Sequence, residues 1–366
     1  NRSASNFYYS LYCKQLSDGC LAVQHIVPST YDFIMHLKYT YHNNLIVLAK
    51  PKSIHNETLS RLKENNVKII EASRSDKDLK QYLKKLNLNT TIIDIGGYFS
   101  NIAKLKGLPI KAIIEDTENG LKKYEQINNK LQYPIFAVAR SPLKVNEDRL
   151  VGEAIVHSTE IILRELNILL DYCKCFVIGY GKIGSGIAGC LNKKNITPYV
   201  YDINKIRLVK AVNEYCYATT LENGLSKAKL IFCATGSGAL SIKDFRKIRN
   251  GAFIISVTSS DDEFDLKNID KVYNLEIISK YIKKYSNENN YFYLVNDGNA
   301  VNFLFSAALG PFIHLVSAEI MSIMEEIDNK VLAIKGIQDL ININSKRQKI
   351  SSYWLREFAD QPIEKR

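Results

Sequence analysis

The chain has 366 residues, 46% of them hydrophobic and 24% charged, a balance that excludes a disordered, collagen-like or disulfide-stapled small protein and gives room for about two domains. Its 49 Lys and Arg against 38 Asp and Glu leave a formal charge of +11, which admits nucleic acid, a membrane surface or anionic small molecules as partners. The cations are scattered, in pairs such as Lys84-Lys85, Lys122-Lys123 and Lys193-Lys194 that never grow into a basic block, so a solvated surface is expected and nucleic acid is not.

From Asn44 onward short β-rich runs alternate with amphipathic stretches. LIVLA (45–49), VKIIEA (67–72), TIIDI (91–95), KAIIED (111–116) and IFAVA (135–139) read as strands. This rhythm predicts an α/β fold with a parallel sheet covered on both faces, whose ligands bind at the carboxyl ends of the strands. Asp94 with Gly96-Gly97, Asp116-Thr117 and Arg140-Ser141 stand at such ends. A long helix is expected over 147–170, after which the alternation restarts. Strands are predicted at 174–179, 198–202, 229–234 and 252–257, then shorter ones at 276–279 and 291–295, then an apolar helix from about Asn302.

The most apolar stretch, Phe303 to Ala318, is too short for a bilayer and reads as a buried helix, so no membrane is expected. Cys13, Cys20, Cys173, Cys175, Cys190, Cys216 and Cys233 show no CxxC or zinc-finger spacing. Reduced, mostly buried thiols, no metal and a cytoplasmic setting are expected. The first residues show no signal-peptide pattern.

The strongest local motif is CFVIGYGKIGSG (175–186), with Gly179, Gly181 and Gly184 in GxGxxG spacing between a β run and a helix-like stretch. A tight turn needs the first glycine, a pyrophosphate needs backbone exposed at the second, and strand–helix packing needs the third. The helix N-terminus, with Lys182 and Ile183, then faces the phosphates. PYVYD ends a second strand at Asp202, about 20 residues beyond Gly181, where a carboxylate grips a ribose diol and favours NAD over NADP. Thr235-Gly236 ends a further strand, where backbone could pass close to the nicotinamide ribose, although a plain turn glycine reads equally well.

Taken in order, IIDIGG (92–97), IEDTENG (114–120), VIGYGKIGSG (177–186) and DGNAVN (297–302) resemble segments of S-adenosylhomocysteine hydrolase, and the similarity covers about residues 20 to 325. The resemblance implies a Rossmann NAD-binding domain inserted in a second α/β substrate domain. Substrate would be bound by residues 1–150 and 308–345, NAD by 151–307, and a C-terminal tail, 346–366, would reach a neighbouring subunit of a homo-oligomer. It also implies a chemistry: held NAD oxidises a ribose 3′-hydroxyl, the C4′ proton becomes acidic, the 5′ thiol is eliminated, water adds and the ketone is reduced back.

The resemblance assigns roles residue by residue. Lys144 and Asp148, in RSPLKVNED, match a Lys and an Asp at the sugar diol, Lys144 as base and Asp148 orienting it; otherwise they form an i,i+4 surface ion pair. Asp116 matches a Glu that holds the sugar hydroxyls, unless it merely caps the next helix. His25, in HIVPST (25–30), matches a proton shuttle. Thr117, Glu118, Asn119 and Asn302 match cofactor contacts, Asn302 at the nicotinamide carboxamide. The C-terminal Lys-x-x-x-Tyr pattern could be met by Lys349 and Tyr353, although KISSYWLREF reads equally well as an amphipathic helix.

Departures from the family pattern are concentrated. Val27 and Ser29 replace residues that hold adenine, Ile95 replaces a carboxylate, and Ala139, Arg149, Glu153, Ser259 and Leu309 or Gly310 replace further polar groups. Grips for NAD and a sugar diol persist while purine-reading groups are lost. Three readings follow: hydrolysis of S-adenosylhomocysteine or a related nucleoside thioether, the same 3′-oxidation on another nucleoside or sugar, or a catalytically silent NAD-binding regulatory or scaffold protein.

Overall fold

A computed structural model describes residues 2–258, 263–266, 268–302, 304–305, 309–329, 335–338 and 343–359. The chain forms two compact units, one of Asn1–Lys144 with Gly310–Arg366, the other of Val145–Leu309.

The first unit is built on β1 (Gly19–Ile26), β2 (Leu45–Ile54), β3 (Ile69–Glu71), β4 (Thr90–Asp94), β5 (Ile110–Glu115) and β6 (Pro134–Ala137). The second carries β7 (Cys175–Ile178), β8 (Tyr199–Tyr201), β9 (Tyr217–Ala218), β10 (Leu230–Cys233), β11 (Ala252–Ser256), β12 (Asn274–Ser279), β13 (Ile282–Ser286) and β14 (Tyr291–Val295). The chain then returns to the first sheet as β15 (Gly336–Ile337).

The sheet orders are β15-β6-β5-β4-β1-β2-β3 and β12-β13-β14-β11-β10-β7-β8-β9. The first is parallel throughout; in the second only the β12-β13-β14 end is antiparallel. Each unit starts with its central strand, adds two neighbours on one side and then reverses to the other. That is the doubly wound pattern, and it opens a crevice between β1 and β4 in one sheet and between β7 and β10 in the other. The second unit is a Rossmann unit. Successive strand residues feed opposite apolar layers: Cys20 and Ala22 one, Leu21 and Val23 the other; Cys175 and Val177 one, Phe176 and Ile178 the other. This two-sided burial accounts for the near-continuous hydrophobic strands.

The structure departs from the sequence expectations in several places. β1, the central strand of the first unit, lies upstream of the expected start of alternation. The long helix is Val145–Glu165 and stops before 170, where Asn167 turns left-handed at φ 57°. The apolar helix expected from Asn302, and over 303–318, is instead Ile313–Asn329. It follows a turn at Gly310–Phe312, with Gly310 at φ 56° and Pro311 unable to donate a helical N–H. Residues 303 and 306–308 lie outside the described residues.

The segment expected as a tail is in part the helix Ile343–Phe358, which packs into the first unit. Trp354 Nε1 donates to Pro311 O at 2.8 Å, and Arg347 donates to the fully buried Glu319 from Nε and Nη2 at 3.0 and 2.7 Å. Lys349 and Tyr353 lie on this helix, and residues 360–366 lie outside the described residues. Cys20, Cys173, Cys175, Cys216 and Cys233 are buried thiols. Among the described residues no helix is long and apolar enough to cross a membrane.

Candidate functional sites at the two strand-end crevices

In the second unit β7 runs into the glycine loop. Gly179 turns at φ 93°, and a Cβ there would meet Ala234 O at 2.6 Å. A Cβ on Gly184 would lie 1.9 Å from Gly179 O, so the loop and the first helical turn press backbone on backbone. At Gly181 the nearest atom to such a Cβ is Arg207 Nη1 at 3.8 Å, so this residue leaves open the surface at which a ligand can approach. The helix Lys182–Lys193 has Gly181 as its N-cap and no side-chain cap, which leaves its first-turn N–H groups to an incoming anion.

Asp202, 3% exposed at the end of β8, accepts the Tyr180 N–H through Oδ2 and the Asn204 N–H through Oδ1, both at 2.7 Å. The acid therefore braces the loop as well as standing where a ribose diol would come, and each oxygen keeps a second lone pair for a hydroxyl. Arg207 Nη1 lies 3.5 Å from Oδ2. Lys182 Nζ is 3.6 Å from Asp148 Oδ2.

Thr235 and Gly236 follow β10 and are fixed by a residue the sequence reading missed, Glu263. Its fully buried carboxylate accepts Thr235 Oγ1–H at 2.8 Å, the Gly236 N–H at 2.7 Å and Thr258 Oγ1–H at 3.3 Å. Its backbone oxygen accepts the N–H groups of Ala239 and Leu240. Burial raises its carboxyl above the usual range, and the three donors to the carboxylate pull it back. Asn302 is 4% exposed, and among the described residues its Oδ1 finds no hydrogen-bond donor. A buried acceptor without a donor is costly unless a ligand supplies one, and a carboxamide NH2 does. Glycine cradle, uncapped helix, strand-end acid and orphan acceptor together fit a dinucleotide.

Residues 153–308 match the family model described as S-adenosyl-L-homocysteine hydrolase, NAD binding domain. This unit binds NAD. Residues 1–152 and 309–366 lie outside that match. Adenosylhomocysteinase of Triticum aestivum is 27% identical over 162 residues, 43% of this chain and 33% of the wheat protein, so the matched stretch spans about a third of that relative. Among solved structures, the dipicolinate synthase A chain of Bacillus subtilis aligns over 86% of this chain and 98% of its own at 12% identity and TM-score 0.43. The NAD-complexed D-isomer specific 2-hydroxyacid dehydrogenase of Lactobacillus delbrueckii ssp. bulgaricus aligns over 69% and 76% at 14% identity and TM-score 0.37.

The crevice of the first unit is built differently from the NAD cradle. Asp94 and Glu115, in register at the ends of β4 and β5, are both fully buried. Asp94 accepts the N–H groups of Tyr98 and Phe99 at 3.1 and 3.0 Å and the Tyr124 hydroxyl at 2.6 Å. Glu115 accepts the N–H groups of Gly96 and Gly97, both at 3.0 Å, and Thr117 N–H and Oγ1–H at 2.7 and 2.6 Å. Burial, then the charge of Asp94, pushes Glu115 up to about 8. Only glycine fits at 120, since a Cβ there would lie 2.1 Å from the Glu115 carboxyl carbon.

Above this pair, Lys144 Nζ donates to Asp116 Oδ1 at 2.8 Å, and the lysine is only 6% exposed. Asp116 is thus a lysine's partner, and the cap of the next helix, Glu118–Glu125, is Thr117, whose Oγ1 accepts the Gly120 N–H. Lys144 and Asp148 are both buried, which rules out a solvated surface pair.

His25 Nδ1 lies 2.7 Å from Ser53 Oγ, and Ser53 Oγ donates to Lys50 O at 3.2 Å. Nδ1 therefore carries the hydrogen and Nε2 the lone pair. Burial, then the charges of Lys50 and Lys144, holds His25 well below the ordinary histidine range, so it is neutral. The crevice thus gathers Lys144, Asp116 and His25.

Thr117, Glu118 and Asn119 stand in this first unit, and Gly179, Gly181, Lys182, Ile183, Gly184, Asp202, Thr235, Gly236, Asn302 and Asp148 in the second. Glu118 takes bonds from Arg140 Nε and Nη2. Ile95 is 5% exposed among Tyr98 and Phe99 in the apolar core, so no acid–base group replaces the missing carboxylate there. Ser259 lies outside the described residues.

Proposed function

We propose that this protein is an NAD-dependent enzyme that transiently oxidises a ribose 3′-hydroxyl so that a 5′ substituent can be eliminated and water added, on S-adenosylhomocysteine or a related nucleoside thioether. The observation that carries this reading is the buried Lys144–Asp116 pair at the strand-end crevice of the first unit, in a chain whose other unit binds NAD. NAD, when bound, supplies an acceptor and later a donor of hydride.

Everything else falls to side chains. Lys144, once it has given up its own proton to solvent, takes the hydroxyl proton as the alcohol becomes a ketone, and Asp116 holds the resulting ammonium. The same proton returns when the ketone is reduced. His25 takes the C4′ proton at Nε2 and gives it to the departing 5′ thiolate; when water adds at C5′, His25 takes a proton from the water and delivers it to C4′. Thr117, Glu118 and Asn119 serve as cofactor contacts, Asp148 orients the sugar end, and the enzyme works as a homo-oligomer.

Two neighbouring readings differ in one point each. The first is the same 3′-oxidation on another nucleoside or sugar, supported by Val27 and Ser29 where the resembled family reads adenine. The second is a catalytically silent NAD-binding regulatory or scaffold protein, supported by Ile95, an apolar residue where the resembled family keeps a carboxylate.

The test is to denature the purified protein, weigh its NAD by mass spectrometry, and mix the intact protein with nucleosides while following the reduced-nicotinamide absorbance band. The reading expects NAD, a band with a substrate nucleoside, and no band in Lys144→Gln despite full NAD. Bound NAD with no band, and no solvent deuterium entering C4′ of any nucleoside, would sink the enzyme and leave the silent protein. A band without homocysteine release from S-adenosylhomocysteine points to the other substrate.

A further inference from the structure

Lys144 stands on a one-turn helix, Pro142–Lys144, directly after the strand-end residue Ser141. So short a turn has no ladder of its own, and its N–H groups must find acceptors outside it. Pro142 carries no N–H. Leu143 N–H goes to Ser141 Oγ and Lys144 N–H to Ser141 O, both at 3.1 Å, while the N–H of Ser141 goes to Val138 O at 2.9 Å. The main chain under the lysine therefore hangs on one serine, itself 2% exposed.

That serine is oriented from outside the turn. Its Oγ accepts from Leu143 and donates its hydrogen to Glu319 Oε2. Glu319 is fully buried on the helix Ile313–Asn329, between Ala318 and Ile320. Arg347, on the helix Ile343–Phe358, directs Nε and Nη2 onto Oε1 alone, at 3.0 and 2.7 Å. The guanidinium thus fills the lone pairs of one carboxylate oxygen, and the other faces the serine. A buried ion pair adds little stability that apolar side chains of the same volume would not supply. What this pair supplies is a fixed acceptor for one hydroxyl. A second pair, Lys346 Nζ to Glu326 Oε2 at 2.8 Å, joins the same two helices about two turns further along.

We propose that Glu319 and Arg347 are positioning residues for Lys144 and act through Ser141. This rests on the reading of Lys144 as the base for the 3′-hydroxyl, and it makes the helix Ile343–Phe358 part of what sets that base in place. With the hydroxyl of Ser141 unanchored, the turn relaxes and Nζ shifts from Asp116 Oδ1, to which it donates at 2.8 Å. A misplacement of about 1 Å at a reacting group costs up to roughly a hundredfold in rate.

The experiment uses the full chain with its NAD and has two readouts. Brief acetylation with acetic anhydride, followed by mass spectrometry, gives the reactivity of the Lys144 amine with no substrate present. Stopped-flow mixing with adenosine, guanosine, cytidine and uridine in turn gives the saturated rate of the reduced-nicotinamide band and the half-saturating concentration. Ser141→Ala and Arg347→Gln should each raise Lys144 acetylation about fivefold or more and lower the saturated rate about tenfold or more, with NAD content and half-saturating concentration unchanged. Arg347→Lys, which keeps the charge without the fork, should fall between parent and Arg347→Gln. Lys346→Gln breaks the other pair between the same helices, so it should lower the denaturation midpoint and leave both readouts as in the parent. Ser141→Ala keeps the ion pair whole and carries the test if Arg347→Gln does not fold.

Unchanged Lys144 reactivity in Ser141→Ala, or an equal change in Lys346→Gln, overturns the proposal. So does raised reactivity with an undiminished saturated rate, or a change confined to the half-saturating concentration. Raised reactivity in both variants, with no band from any of the four nucleosides in the parent, overturns the enzyme reading and leaves the positioning of Lys144 standing.

Discussion

The two crevices share a strand order and differ in what fills it. At the NAD crevice, between β7 and β10, the loop is shaped by backbone: glycines pressed to contact, a helix start without a side-chain cap, and N–H groups left for the ligand. At the other, between β1 and β4, the loop that follows β4 is turned over. Its Gly96 and Gly97 N–H groups are consumed by Glu115, and its carbonyl faces outward onto Arg74 Nη1 and Lys123 Nζ. A loop that offers N–H groups suits a pyrophosphate wherever it occurs. A loop that offers a carbonyl recruits cations instead.

The comparison breaks first at Gly184. Gly184→Ala puts a methyl 1.9 Å from Gly179 O, a backbone atom that no flexible side chain can move out of the way. The cost is about 3 kcal/mol or more in the second unit. NAD content after purification should fall more than tenfold. The one Trp, Trp354, lies in the first unit, and its fluorescence in denaturant should keep its midpoint. Full NAD in this variant would show that the cradle tolerates the side chain and that the backbone account of this crevice is wrong.

Glu263 sharpens the same side. Glu263→Gln keeps the size but turns one acceptor into an NH2 donor facing Thr235 Oγ1–H or the Gly236 N–H. One buried donor then goes unpaired, at about 1–3 kcal/mol. NAD affinity, measured by titration of the apoprotein, should drop about tenfold, while Glu263→Asp should fall between the two. Equal affinity for Glu263→Gln and the parent would remove Glu263 from the positioning of that loop.

The readable part of this molecule was the part in which local geometry dictates residue identity. GxGxxG and the acid beyond it follow from a single turn and one strand, so Gly179 to Gly184 and Asp202 could be placed from spacing. β1 could not. Its run GCLAVQHI is buried on both faces, shows no alternation and lacks dense β-branching, so nothing local marks it as a strand. Glu115, Glu263 and Glu319 escaped for a different reason. Each meets its partners only after distant elements are laid side by side, and an acid beside a glycine loop or inside a helix is unremarkable before that. Gly310-Pro311 was visible, but the apolar run around it outweighed a breaker that the backbone obeys.

The pH dependence separates the units next. In the first unit His36 and His314 are pressed down to about 4 by burial, so unfolding binds protons and stability is lost as pH falls from about 6.5 to 4. Glu115 works in the other direction. Its folded value of about 8 stands above the ordinary glutamate value of 4.5, so its contribution is full below about pH 4.5 and is lost as pH rises to about 8. The histidines win below neutrality because there are three of them, His25 being held well below its ordinary range as well. Above about pH 6.5 only Glu115 titrates among these groups, with a slope of at most about 1.4 kcal/mol per pH unit. Trp354 midpoints should therefore peak near pH 6.5 and decline to pH 8, and Glu115→Gln should flatten the alkaline side. A parent protein whose midpoint still rises between pH 6.5 and 8 would rule out the protonated acid.

The smallest expected effect tests whether the buried acids are held redundantly. Tyr124→Phe removes one of three donors to Asp94 and leaves the ring volume in place, so no cavity opens. Asp94 keeps the N–H groups of Tyr98 and Phe99, which lie on the backbone and cannot be mutated away. The loss should be about 1 kcal/mol, read as a small fall in the Trp354 midpoint with NAD content unchanged. A much larger fall would mean that the Tyr124 hydroxyl, rather than the two N–H groups, carries the charge of Asp94. The inward-facing acids would then depend on a side chain, and the turned-over loop above them would be held far less by backbone than the NAD cradle is.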